Sequence, residues 1–170
     1  MPIAPLAFDL PDSGATVALG RALARSFPGA NVGAILHLRG ELGSGKTTCA
    51  RSLLHALGVT ATVRSPTYTL VDTYSLASLT CVHVDLYRVQ TTGEVEELGL
   101  RDMTGPGYLM LIEWPEKGGV AVPRADLSLL LVYKGDARSA ALGAASETGR
   151  AWLEKLALDT SLAPYVSNLT

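Results

Sequence analysis

One loop of eight residues constrains the fold of this chain more than any other feature of its sequence. Residues 40–47 read GELGSGKT, in which glycine fills the first and sixth positions and lysine and threonine close the pattern. An apolar run, residues 34–38, comes before the loop, and residues 46–57 carry apolar side chains at helical spacing. A buried strand, a glycine-rich turn and a helix in this order are the setting of a phosphate-binding loop. The sequence therefore predicts an α/β fold with a phosphate site at this turn.

Each residue type in the loop suits a phosphate ligand. Glycines allow a tight turn that points backbone N–H groups inward, and the following helix adds the partial positive charge of its N-terminus. We expect Lys46 to reach the β- and γ-phosphates and the Thr47 hydroxyl to hold Mg²⁺. Thr48 is expected near the α-phosphate. The residues predicted to bind a nucleoside triphosphate are Gly40, Glu41, Leu42, Gly43, Ser44, Gly45, Lys46, Thr47 and Thr48.

Two carboxylates follow buried strands and are candidates to complete the site. Asp85 comes directly after residues 82–84, and Glu113 comes directly after residues 109–112. Ligands in open α/β sheets gather at the carboxyl ends of the strands, and Mg²⁺ prefers oxygen ligands. We expect one of the two to hold Mg²⁺ and the other to orient water or a phosphate acceptor. Glu41, inside the loop, either positions water or is a surface charge.

The remaining patterns predict a single layered α/β domain over residues 1–170. Asp12 or Ser13 is expected to cap a helix. Two stretches rich in β-forming residues, 67–74 and 80–84, predict an antiparallel hairpin. The other predicted elements are a short helix over 94–100, strands over 108–112 and 127–133, a partly mobile segment within 135–149 and a terminal helix over 147–158. Together they predict a mainly parallel central sheet with one antiparallel hairpin and helices on both faces.

Composition and charge narrow the class of protein. The chain is 48% hydrophobic and 18% charged with a formal net charge of −2, which does not suit a protein that coats nucleic acid or a membrane surface. No apolar stretch approaches the roughly 18 residues that span a bilayer, and the first residues lack a basic region, so we expect a cytoplasmic protein. Cys49 and Cys81 lie in apolar stretches without metal-type spacing, which predicts two buried thiols in a reducing compartment.

Several other side chains have two interpretations each. His55 and His83 are interpreted as packing or surface residues. Arg64 and Arg88 either offset phosphate charge or are ordinary exposed arginines. Trp114 is interpreted as an edge of the core or as a contact for a partner.

The residues alone leave three other functions open. A small-molecule kinase would use the same loop with Asp85 as base for an acceptor hydroxyl, but the sequence has no arginine-rich lid segment. A regulatory GTPase would carry Asn-Lys-x-Asp, of which residues 133–136 keep only the lysine and the aspartate. An assembly module, in which nucleotide only joins partners, would not need Asp85.

Five stretches together resemble the bacterial TsaE (YjeE) family, which are small ATPases of tRNA threonylcarbamoyladenosine synthesis. They stand in the family's order and spacing within about residues 34–118, and as a set they are more specific than the loop alone. They are residues 40–48 (GELGSGKTT), 65–71 (SPTYTLV), 83–88 (HVDLYR), 96–99 (EELG) and 111–117 (LIEWPEK). The sequence departs from the family at Glu41, where aspartate is frequent, and at Ser44, where alanine is common.

The resemblance implies a small P-loop NTPase fold and a set of site residues. Asp85 would lie close to the metal and be needed for hydrolysis, and residues 65–69 resemble a switch-like stretch beside the γ-phosphate. Adenine would lie between the segment near Ser13 and the loop at Ala137. The predicted site thus has metal-binding residues Thr47, Glu113 and Asp85, catalytic residues Asp85, Glu41 and Lys46, and adenine-side residues Ser13 and Ala137.

The resemblance also implies partners. The family acts with a TsaB–TsaD pair that transfers the threonylcarbamoyl group to adenosine 37 of tRNAs reading ANN codons. The ATPase would support repeated turnover rather than perform the transfer, and it would meet tRNA only indirectly, through the complex. ATP is the implied substrate and Mg²⁺ the implied cofactor, and we expect slow hydrolysis by the chain alone.

Overall fold

The structure is a computed structural model that describes residues 4–167. Its strands are β1 (Leu6–Leu10), β2 (Ala34–Gly40), β3 (Val71–Ser75), β4 (Thr80–Asp85), β5 (Tyr108–Glu113), β6 (Leu127–Lys134) and β7 (Ala137–Ala144). Its α-helices are α1 (Ser13–Ser26), α2 (Lys46–Leu57), α3 (Thr92–Glu97) and α4 (Glu147–Ala157). Short 3₁₀ helices cover Leu100–Met103, Pro115–Lys117, Gly119–Ala121 and Thr160–Tyr165. Among residues 4–167, no helix combines the length and the apolar character that crossing a membrane requires.

The seven strands within residues 4–167 form one mixed sheet in the order β1-β7-β6-β2-β5-β4-β3. The central strands β6, β2, β5 and β4 run parallel, and β3 pairs antiparallel with β4, so the predicted α/β fold and the hairpin are confirmed. On the far side β7 pairs antiparallel with both β6 and β1. The parallel part is therefore confined to the centre, where the strands that precede and flank the phosphate loop lie.

Four stretches of the sequence differ from the prediction. Residues 67–70 form a turn rather than a strand, and β3 begins only at Val71. The helix predicted over 94–100 runs from Thr92 to Glu97 because Gly99, at φ +66°, takes the chain out of helical conformation. The segment expected to be partly mobile instead contains β7, and β1 was not predicted at all.

Local sequence signals set the ends of the helices that carry the loop and its neighbour. Asp12 caps α1, because its Oδ1 accepts a hydrogen bond of 2.9 Å from the backbone N–H of Ala15. α2 begins directly after Gly45 and ends before Gly58, and both glycines have left-handed φ angles, 106° and 112°. The loop thus ends at Gly45, whose left-handed conformation favours glycine, and α2 starts at the next residue.

Two apolar cores lie on opposite faces of the sheet. One is shared with α1, α2 and α4 and includes Leu36, Leu38 and Leu111. The other is shared with α3 and the 3₁₀ helices that follow it and includes Val84 and Ile112. Neighbouring residues of β5 therefore point into different cores, as expected for a strand with both faces covered. Helices lie on both faces, as the sequence predicted.

Candidate functional site

The loop between β2 and α2 is shaped by glycines in left-handed conformations. Gly40, Gly43 and Gly45 have φ angles of 141°, 76° and 106°. At Gly40 a Cβ would overlap the carbonyl oxygen of Leu131, so the loop passes close to β6 only because this residue has no side chain. Ser44 is fully buried in the loop, and its hydroxyl has no hydrogen-bond partner among the described residues. The loop is therefore a tight backbone turn that encloses one hydroxyl without a hydrogen-bond partner among the described residues.

Lys46 is buried at the mouth of this loop. Its Nζ donates hydrogen bonds to the carbonyl oxygens of Gly40, at 2.7 Å, and Glu41, at 2.8 Å. It also lies 4.2 Å from the centroid of the Trp114 ring, within the range of a cation–π contact. Burial lowers the pKa of Lys46, and the nearby carboxylates of Glu113 and Asp85 oppose that shift. The ammonium group is therefore held beside the loop and beside both candidate acids.

Thr47 and Glu113 meet across the gap between α2 and β5. The Thr47 Oγ1 lies 3.0 Å from Oε1 and 2.9 Å from Oε2 of Glu113, and donates to that carboxylate. Glu113 is 2% exposed, and its Oε1 also lies 2.8 Å from Nε2 of His83. The sequence interpretation of His83 as a packing or surface residue missed this hydrogen bond. The spacing was the available signal, because His83 and Asp85, two positions apart on β4, share one face of the sheet.

Asp85 lies next to Glu113 in the register of the parallel strands β4 and β5. Its Oδ2 accepts hydrogen bonds from the hydroxyls of Ser65 and Thr67, and its Oδ1 accepts one of 2.8 Å from the backbone N–H of Tyr87. Asp85 is 3% exposed, so this carboxylate is shielded and held in one orientation by the chain itself. The segment resembling a switch therefore contacts the acid that the sequence predicted for hydrolysis.

A cavity of about 300 Å³ brings the predicted metal and phosphate residues together. Within residues 4–167, a gathering of three or more His, Cys, Asp or Glu side chains that could hold a metal ion was not found. The roles of Thr47, Glu113 and Asp85 as metal ligands stay predictions. The side chains and loop residues lining the cavity are Leu42, Gly43, Gly45, Lys46, Thr47, Thr48, Ser65, Thr67, Asp85, Tyr87, Glu113 and Trp114.

A second cavity, of about 150 Å³, lies on the other side of the loop. Ser13 lines it, whereas Ala137 does not, although both neighbours of Ala137 in the chain do. Gly43, Gly45 and Thr48 line both cavities, which places the two cavities on either side of the loop. The full lining is Leu10, Asp12, Ser13, Thr16, Gly43, Ser44, Gly45, Thr48, Asp136 and Arg138.

Side chains of the β6–β7 hairpin hold the outer edge of the loop, which sequence reasoning missed. The Tyr133 hydroxyl donates a hydrogen bond of 2.6 Å to the carbonyl oxygen of Leu42. The Arg138 guanidinium lies 4.0 Å from the Tyr133 ring centroid and donates to the carbonyl oxygen of Gly43 at 3.3 Å. These contacts join residues far apart in sequence, so no local pattern indicates them.

Other predicted residues lie away from this centre. Glu41 is exposed and does not line the larger cavity, so its role in positioning water stays a prediction. Arg88 stacks on the exposed Tyr68, 4.4 Å from the ring centroid. Cys49 and Cys81 are free and buried, and burial raises the pKa of the thiols to about 12 and about 11 respectively. The thiols are therefore poor nucleophiles and poor metal ligands.

Comparison with known proteins identifies the family. The model of the family described as threonylcarbamoyl adenosine biosynthesis protein TsaE matches residues 10–140. A protein of Haemophilus influenzae, named tRNA threonylcarbamoyladenosine biosynthesis protein TsaE, is 41% identical over 116 residues, which are 68% of this chain and 73% of that protein. A Synechocystis protein of the same name is 39% identical over 114 residues, 65% of this chain and 70% of the relative.

The fold agrees with that result. The crystal structure of YdiB from Bacillus subtilis matches with a TM-score of 0.74 and 25% sequence identity, over 92% of this chain and 97% of that one. The α/β fold predicted from the loop and the strand patterns is thus found in a solved structure. Because the family model matches residues 10–140 and the relatives share this level of identity, the resemblance seen in the sequence is confirmed, and the chain belongs to the TsaE family.

Proposed function

We propose that this chain is an ATP-binding and ATP-hydrolysing accessory protein of tRNA N6-threonylcarbamoyladenosine biosynthesis. In this proposal it supports repeated turnover by a TsaB–TsaD transferase pair and meets tRNA only through that complex. The observation that carries the ATPase part is the hydrogen-bonded pair of Thr47 and Glu113 at the mouth of the glycine loop. The tRNA part is supported by membership of the TsaE family and by the names of the relatives.

The residues around the loop fit a nucleotide triphosphate with Mg²⁺. Three features suit a phosphate chain: a glycine whose missing Cβ leaves room for the backbone, a buried cation at Lys46, and a buried Ser44 hydroxyl that lacks a partner among the described residues. The hydroxyl of Thr47 and the carboxylate of Glu113 would hold Mg²⁺, with phosphate oxygens and water as its further ligands. When bound, Mg²⁺ would supply positive charge that neutralises the phosphates during transfer.

Lys46 would change partners when the phosphates arrive. In the structure its ammonium donates to two loop carbonyls and lies against Trp114. Phosphate oxygens are stronger acceptors than these carbonyl groups, because the hydrogen bond is then charged on both sides. Lys46 would thus bind the β- and γ-phosphates from its position beside the loop.

Hydrolysis would fall to Asp85, which would orient the attacking water. Both of its oxygens accept hydrogen bonds from the chain, and Ser65 and Thr67 occupy one of them. A carboxylate oxygen can accept two hydrogen bonds, and among the described residues Oδ1 accepts one, from the backbone N–H of Tyr87, so it can also accept one from water. Slow hydrolysis by the chain alone and faster hydrolysis with the TsaB–TsaD pair are part of this proposal.

The smaller cavity would take the adenine. It lies beside the loop between α1 and the β6–β7 hairpin, and Asp12, Asp136 and the Arg138 guanidinium line it. Carboxylate oxygens can accept hydrogen bonds from an exocyclic amine, and guanidinium planes can stack on a base. Ser13 would contact the nucleotide from the start of α1.

The proposal is tested with the purified chain, ATP, Mg²⁺ and a TsaB–TsaD pair. We expect Mg²⁺-dependent ATP binding, slow phosphate release by the chain alone and faster release with the pair. The Glu113→Ala variant should lose Mg²⁺-dependent hydrolysis while its circular dichroism spectrum stays that of the wild type. Binding of ATP without any effect of Mg²⁺, or full hydrolysis by Glu113→Ala, would contradict the proposal. Transfer of phosphate to a small acceptor instead of water would favour the kinase alternative.

A further inference from the structure

His83 is a buried histidine whose side chain has one hydrogen-bond partner among the described residues, the candidate metal ligand Glu113. Its side chain is 0% exposed in the middle of β4. Its Nε2 lies 2.8 Å from Oε1 of Glu113, and its Nδ1 is buried without a hydrogen-bond partner among the described residues. Leaving a ring nitrogen unpaired in a protein interior costs free energy. If His83 only filled space, an apolar side chain would be more stable at this position, because it would leave no polar atom unpaired.

The unpaired nitrogen identifies which atom carries the proton. A carboxylate can only accept, so Nε2 must donate to Glu113 for the hydrogen bond to exist. The hydrogen bond therefore runs from Nε2 to Oε1, and Nδ1 has no hydrogen-bond partner among the described residues.

This hydrogen bond is what distinguishes the two oxygens of Glu113. The terminal torsion of a glutamate is broad and roughly two-fold, so the carboxylate does not hold one orientation by itself. Thr47 does not choose between the oxygens, because its hydroxyl lies 3.0 Å from one and 2.9 Å from the other. His83 contacts Oε1, so its hydrogen bond sets which oxygen faces β4, while both oxygens stay within reach of Thr47.

We propose that His83 is a positioning residue that fixes the rotation of the Glu113 carboxylate and thereby sets the Mg²⁺ affinity of the Thr47–Glu113 pair. The proposal rests on the proposed function, since it takes this pair as the place where Mg²⁺ binds. Hydrogen-bond partners behind a metal ligand typically change metal affinity by about 10–100-fold when they are removed. His83 does not line the cavity that contains Thr47 and Glu113, so its loss would act through Glu113.

Two substitutions of equal polarity separate this role from a merely structural one. In His83→Gln the amide nitrogen can reach the position of Nε2, whereas in His83→Asn it reaches only the position of Nδ1. ATP affinity is measured by calorimetry across a Mg²⁺ titration and again in excess chelator. We expect the half-saturating Mg²⁺ concentration to rise about 10–100-fold in His83→Asn and to stay near the wild-type value in His83→Gln. Affinity in chelator should be unchanged in both.

Three results would overturn this role. One is a His83→Asn variant whose Mg²⁺ dependence equals that of the wild type, which leaves the proposed function intact. Another is an equal loss of affinity with and without Mg²⁺, which would show general damage to the site. The third is a wild-type chain that binds ATP without any effect of Mg²⁺, which removes the proposed function as well.

A measurement on the native histidine covers the case in which these variants fail to fold. In a variant with His37→Gln and His55→Gln, the nitrogen NMR spectrum of the imidazole reports His83 alone, because the chain has 3 histidines. We expect the Nε2–H tautomer. The Nδ1–H tautomer would overturn the proposal, because Nε2 could not then donate to Glu113.

Discussion

The two sides of the phosphate loop are built in different ways. On the side of Thr47 and Glu113 the polar side chains are buried and hydrogen-bonded within the chain. The exposed fractions are 4% for Lys46, 3% for Asp85, 2% for Glu113 and 0% for His83. On the side of Asp136 and Arg138 the polar groups lie at a hairpin and around a cavity half the size of the larger one, about 150 against 300 Å³. After the ligands proposed for them, we call these the metal side and the base side.

The difference follows from the sheet. The metal side is formed by the central parallel strands, whose carboxyl ends place Asp85 and Glu113 next to each other between two covered faces. The base side is formed by the antiparallel turn between β6 and β7, which has solvent on its outer side. Interactions on the metal side are consequently less screened by water and should contribute more per residue.

The same substitution on each side gives the largest expected contrast. Asp85→Asn should lower the rate of ATP hydrolysis by about 10²–10⁴-fold, because an amide cannot accept a proton from water as a carboxylate does. Asp136→Asn, the matched control on the base side, should leave the rate within a few-fold of wild type. Phosphate release at saturating ATP and Mg²⁺ measures both. Comparable rates for the two variants would remove the distinction between the sides.

Loss of the buried cation should have the next largest effect, and it concerns affinity. Lys46→Ala should weaken ATP binding by about 10–100-fold, since a hydrogen bond to a charged group contributes about 1.5–3 kcal/mol. Lys134→Ala removes an exposed lysine that is paired with Asp9 and serves as the control. Calorimetry with ATP measures both variants. Unchanged affinity in Lys46→Ala would show that the phosphates bind elsewhere.

A smaller effect is expected from the arginine of the base side. Arg138→Ala should weaken ATP binding by less than about 10-fold, because exposed cation–π contacts contribute about 0.5–1 kcal/mol and the carbonyl contact at Gly43 is solvated. The Mg²⁺ dependence of binding should not change. Arg88→Ala, which removes an exposed arginine stacked on Tyr68, is the control. A shift in Mg²⁺ dependence in Arg138→Ala would mean that the two sides are coupled.

The smallest expected effect is on the pH dependence of the free energy of unfolding. It concerns the sheet rather than the candidate site. Burial lowers the pKa of His37, while its hydrogen bond of 2.9 Å to the carbonyl oxygen of Pro123 opposes that shift. A histidine whose pKa is lower in the folded state binds fewer protons there than in the unfolded chain. The contribution of His37 to the free energy of unfolding is therefore at its full value above about pH 6.5. It falls by at most about 1.4 kcal/mol per pH unit as the pH drops below that value.

Thermal unfolding between pH 7.5 and 5 measures that dependence, and His37→Gln is its control. The glutamine variant should show a flatter profile over this range, since it keeps a hydrogen-bond donor and has no proton to bind. An equally steep profile in the variant would assign the pH dependence to another group.

The metal side was largely predictable from sequence, and the base side was not. The loop pattern and the acids that end two apolar runs are local signals, which placed Lys46, Thr47, Asp85 and Glu113 in one cavity. The hydrogen bond of His83 to Glu113 joins two strands and could only be suspected from its spacing to Asp85. The two side chains meet in space although they are far apart in sequence.

On the base side the sequence did not predict the strands β7 and β1. β7 reads ARSAALGA, and its small residues carry a weak β signal, so the alternation of Ala140 and Leu142 into the core was not apparent. Without β7 there is no hairpin to bring Tyr133 and Arg138 to the loop. β1 was missed for a related reason, since a strand of five residues at the edge of a sheet depends on its pairing with β7.

The contacts of Lys46 affect what a phosphate affinity measured at this loop represents. If a phosphate binds this ammonium as proposed, it would compete with two carbonyl groups and the Trp114 ring, so binding would include an exchange of partners. The free energy observed is the difference between the two sets of contacts. Truncation of Lys46 removes both sets, and it will underestimate how strongly the lysine holds the phosphate once it is there. Trp114, freed from the cation on exchange, would report that step through its own fluorescence.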